Sequence, residues 1–178
     1  MSNKTITTAV VREFLAGNID DLSEFTSIDD TAAELLAVPR NEDETGLWLQ
    51  GVKSLTAVSA RALAKWSRDW LGLSGLTFLP EDVATALSKL NCPSLDLSGL
   101  REITGGAAKA LSANKPTKCL ETGEWGGHWH HLRLSGLEQL SPESARAIAA
   151  YSGILTLGIP ELSKDAAAAL AGHDGELR

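Results

Sequence analysis

Leucine alternates with variable residues in four short stretches of this chain: "LWLQGV" (47–52), "LGLSGL" (71–76), "LDLSGL" (95–100) and "LRLSGL" (132–137). A period of two suits a short strand with one buried face. Each stretch closes on Gly and an aliphatic residue, and glycine permits a tight bend where the chain leaves the strand. Three residues further on stands another apolar position: Leu55, Leu79, Ile103 and Leu140. Helix-start residues follow at Thr56, Pro80, Thr104 and Ser141. In "SPE" (141–143) the serine can cap, the proline sits in the first turn and the glutamate suits the helix dipole. Alanine-rich stretches come next: "SARALA" (59–64), "VATALS" (83–88), "AAKALS" (107–112) and "SARAIA" (144–149). Their small side chains predict short helices packed close to the strand layer.

The copies are regularly spaced. Leu47, Leu71 and Leu95 lie 24 apart, Leu132 follows after 37 residues, and Leu155 after 23. The fifth copy, "LTLGIPELSKDAAAALAG" (155–172), lacks one residue between strand and helix and caps its helix with Ser163. Upstream, "LSEFTSIDDTAAELLA" (22–37) fits the frame without the Leu-x-Leu opening. Residues 4–16 are expected to form a capping helix. No unit can bury its own apolar side, so the units must stack, with a parallel sheet on one side and helices on the other. The expected organisation is one α/β solenoid domain over 1–178. It comprises an N-terminal cap (1–19), a degenerate repeat (20–46), and five repeats (47–178) with an insertion at about 114–131.

The recurring form L-x-L-x-G-L-x-x-L-[ST]-x-x-x-A-x-A-L-A resembles the leucine-rich repeats, in the short bacterial variant abundant in planctomycete-type proteins. The resemblance covers 47–172 clearly and 20–46 weakly. It departs from the common pattern where an asparagine usually follows the strand: Val52, Leu76, Leu100 and Leu137 stand there instead. The asparagine ladder between turns should therefore be missing.

The resemblance implies a binding surface on the exposed sheet face. The positions concerned are Trp48 and Gln50, Gly72 and Ser74, Asp96 and Ser98, Arg133 and Ser135, and Thr156. Aromatic and arginine side chains are common interface anchors. Trp48 either serves so or packs under the segment 38–46. Asp96 and Arg133, at matched positions of neighbouring strands, are expected to pair across the ladder. Five or six strands at ~4.8 Å give a face only about 25 Å wide, enough for a peptide or a small patch.

The insertion "NKPTKCLETGEWGGHWHH" (114–131) adds Trp125, Trp129 and three of the four histidines. A metal there would use His128, His130 and Cys119, since imidazole and thiolate suit zinc or copper. His131, directly before Leu132, belongs to the strand entrance and should face away from His128 and His130. Trp125 and Trp129 either contact a partner or fold back over the repeats.

Composition narrows the classes. The chain has 178 residues and a net charge of −7, with 43% hydrophobic residues. An acidic chain without a basic cluster argues against nucleic acid and anionic membranes. No apolar stretch approaches the ~20 residues of a membrane span, and the N-terminus has no secretory core. Two cysteines, Cys92 and Cys119, do not make a disulfide framework, which points to the cytoplasm. No nucleophile elbow, phosphate loop or dinucleotide fingerprint occurs. The expectation is a non-catalytic protein-interaction module without cofactor. A small metal protein or hydrolase built on the insertion, and a plain spacer, are the alternatives. Leu177 falls 22 residues after Leu155, so a sixth strand is expected at the C-terminus. A bare strand edge invites pairing, either as a homodimer or with further chain.

Overall fold

The computed structural model describes residues 4–39, 44–113 and 130–178. Its elements alternate strictly. In chain order they are β1 (Thr5–Ile6), α1 (Thr8–Leu15), β2 (Ser27–Ile28), α2 (Asp30–Leu36), β3 (Gly46–Trp48), α3 (Ala57–Leu63), β4 (Trp70–Gly72) and α4 (Glu81–Leu87). Then follow β5 (Ser94–Asp96), α5 (Gly105–Ser112), β6 (His131–Leu134), α6 (Pro142–Ala149), β7 (Ile154–Leu157), α7 (Lys164–Leu170) and β8 (Glu176–Leu177). The architecture is α/β. Strands β3 to β8 form one parallel six-stranded sheet in sequence order, and β1 pairs with β2 in a separate parallel pair.

The register sets the leucines in line. Leu47, Leu71, Leu95, Leu132, Leu155 and Leu177 are successive partners across the sheet. The first five are buried, as are the second-column leucines Leu49, Leu73, Leu97 and Leu134. Val52, Leu76, Leu100 and Leu137, in place of asparagine, are also fully inside. They therefore serve the core rather than a side-chain ladder.

Each helix packs on the next one in sequence. Thr56, Thr104, Ser141 and Ser163 cap as their positions predict, each side-chain oxygen accepting the N–H of the residue three further on. Pro80 holds the same position without a side-chain bond. Ala60, Ala84, Ala108 and Ala145 are all fully buried. Their size lets the helices close on the leucine layer.

Two expectations change. Residues 4–16 are not helical throughout, because β1 precedes α1 and pairs in register with β2 (Ile6 with Ile28). Ile6 is fully buried, and Thr7 caps α1 by accepting the N–H of Val10. The segment thus repeats the second half of a unit: apolar residue, cap, helix. The glycines after the strands also act differently from a bend. Among the described residues only Gly17 has a positive φ, 77°. A Cβ at Gly51, Gly75, Gly99 or Gly136 would instead stand 2.0–2.2 Å from a carbonyl oxygen of the preceding unit. Each such carbonyl faces the glycine Cα–H, a weak contact available only without a side chain. This close approach stands where the asparagine ladder was expected to be missing.

Candidate interaction surface

Period two turns two rows of side chains outward on the sheet, on either side of the opening leucines. One row runs Trp48, Gly72, Asp96, Arg133, Thr156; the other runs Gly46, Trp70, Ser94, His131, Ile154, Glu176. Small residues in these rows make room for large ones. Trp48, 47% exposed, lies over Gly72, where a Cβ would stand 2.8 Å from its ring. It is therefore an outward residue resting on the sheet.

From Trp48 a chain of contacts crosses the face. Its ring meets Trp70 at 5.5 Å between centroids, tilted by 32°. The Arg133 guanidinium lies over the Trp70 ring at 4.6 Å from its centroid. The edge of His131 approaches the same tryptophan at 6.4 Å. His131 Nε2 in turn hydrogen-bonds Thr156 Oγ1 at 2.8 Å. Burial, then the Arg133 and Arg178 charges, hold this imidazole below its ordinary range.

Asp96 and Arg133 are register partners, yet they do not form the expected ion pair. The Asp96 carboxylate accepts instead from the Ser98 N–H at 2.9 Å and from its hydroxyl at 2.5 Å. The arginine reaches past it to the ring of Trp70. Stacking satisfies the flat face of the guanidinium and leaves its N–H edge available. Gln50 is exposed, while Asp96, Ser98 and Arg133 are half-buried on the same face. Arg178, at the far end, is paired with Glu176.

Trp125, Trp129, His128 and Cys119 lie outside the described residues. His130 does not face outward: it is 9% exposed and lines a small interior cavity with Cys92, Leu95, Leu132 and Tyr151. His131, one residue on, points to the outer face, so the two alternate as strand geometry requires. Burial pushes the Cys92 thiol up to about 12, and its Sγ donates to the Ser94 carbonyl at 3.2 Å. That thiol is inert rather than a ligand. Among the described residues no three His, Cys, Asp or Glu side chains come together as a metal would need. The His173 ring nitrogens lie within hydrogen-bond distance of the Ala149 and Gly153 carbonyls, which ties the last turn to the unit before it.

Pattern reading passed over Trp70, and it placed His131 at the strand entrance without assigning it to the binding face. They precede the opening leucine, a column whose members are otherwise unrelated in type. The period of two was signal enough, since residues one before and one after an inward leucine share a face. Comparison of the chain with family models, curated proteins and solved structures finds no match.

Proposed function

We propose that this chain is a non-catalytic interaction module, a solenoid of the leucine-rich-repeat type that binds a peptide or protein segment on its outward sheet face. The observation carrying this reading is the run Trp48–Trp70–Arg133–His131, gathered on one face from three different strands. Aromatic residues and arginine are over-represented at binding hot spots. The solenoid part draws support from the unbroken columns of leucines, caps and close-approach glycines. Placement in the cytoplasm rests on the cysteine usage noted above. Among the described residues, no helix is long and apolar enough to cross a membrane.

The test is capture from lysate of the source organism, quantified by mass spectrometry. Wild type is compared with a Trp48→Ala/Arg133→Ala variant and with a control on the opposite side, Arg61→Ala/Lys89→Ala. Arg61 and Lys89 line an open groove along α3 and α4. A partner lost only by the sheet-face variant supports the reading. A partner held equally by all three overturns the assignment to this face, and no partner at all favours a spacer.

A further inference from the structure

We infer that the sheet face selects an extended peptide carrying an acidic side chain two residues from an aromatic or large aliphatic one. This rests on the peptide-binding reading above and adds the chemistry of the partner. The charge accounting on the face is uneven. Glu176 is bonded to Arg178, and Asp96 keeps its charge but is bonded to Ser98 rather than to Arg133. Arg133 has no carboxylate partner among the described residues, and its flat face rests on Trp70. A guanidinium held that way is pre-oriented, so its remaining N–H groups fit the two oxygens of a carboxylate. His131 beside it is held below its ordinary range by burial first and then by the Arg133 and Arg178 charges, with Asp96 and Glu176 acting the other way. The net charge of −7 acts against any acidic ligand at long range. Screening over ~8 Å confines that effect, and contact with the half-buried Arg133 acts at short range.

The spacing follows from the same contacts. Trp48 offers an exposed apolar platform 5.5 Å from Trp70, and Arg133 sits 4.6 Å from Trp70. In an extended peptide, residues i and i+2 project from the same side about 7 Å apart. One can meet the arginine while the other lies on Trp48. Gly46 and Gly72 leave room for the Trp48 ring to lie flat on the sheet.

A library of random linear peptides displayed on phage tests this, selected on immobilised wild type and on Arg133→Gln. Wild type should enrich Asp or Glu two positions from an aromatic or Leu/Ile. Arg133→Gln should still enrich the apolar residue but lose the acidic preference. Enrichment without any acidic preference on wild type overturns this inference and leaves peptide binding intact. No enrichment above blank support overturns both. Should the arginine variant fail to fold, the peptide carries the test: Asp→Asn in a selected peptide should weaken binding to wild type about tenfold. An unchanged affinity overturns the inference.

Discussion

At Gly99 a Cβ would stand 2.0 Å from the Ser74 carbonyl oxygen and 2.7 Å from that of Leu76. Neither oxygen can yield without breaking the turn it belongs to. Gly99→Ala should therefore destabilise the protein by about 3 kcal/mol, read from chemical denaturation. A loss no larger than that of a surface alanine substitution would show that the turns can separate. His131 makes a second prediction. Its folded-state pKa lies below the ordinary imidazole value of about 6.5, chiefly because it is partly buried. The unfolded chain therefore binds the proton more readily. The stabilising contribution is complete above about pH 6.5 and is lost as pH falls through the depressed value. Melting temperature should fall more between pH 7.5 and 5 for wild type than for His131→Gln. Parallel curves would remove His131 as the cause. At this scale the leucines and glycines were legible because they recur. The Arg133–Trp70 stack was not, because register names neighbours, whereas a long side chain chooses its own reach past Asp96.

The helices of the described residues are only 7–8 residues long, below what isolated helices need to persist in water. Their caps matter accordingly. Thr104 accepts only the Ala107 N–H, at 3.2 Å. Thr56 accepts from Ser59 and also donates to Asp30, at 2.5 Å. The Asp30 carboxylate takes a second bond from the Ser59 hydroxyl, and these bonds hold its pKa below the usual range. Thr104→Ala should cost about 1 kcal/mol and Thr56→Ala about 2 kcal/mol, the difference being the loss of one of two bonds that tie Asp30 to the start of α3. Equal losses in thermal melts would deny that link any weight. Caps were legible because Ser, Thr and Pro stand at one fixed offset. The strand character of Thr5 and Ile6 was not, since two residues carry no periodicity and pair only because β2 lies alongside.

Across the molecule the six-stranded sheet ends at β8, where Leu177 is 46% exposed. This is the edge expected to pair two copies. If it does, sedimentation equilibrium will show a dimer whose dissociation constant rises at least about tenfold in Leu177→Lys. A wild type that stays monomeric at high micromolar concentration ends that idea.

The glycine-to-carbonyl approach and the neighbour-only packing also bear on how the protein is made. Among the described residues the main helix–helix and strand–strand contacts join neighbouring units, so a unit of about 24 residues needs only the one before it. Translation at about 5–20 residues per second delivers one unit every few seconds. Docking of a strand and a short helix is far faster than that. Each new unit can settle against a surface already complete behind it. The exposed leucine column is then confined to the growing end.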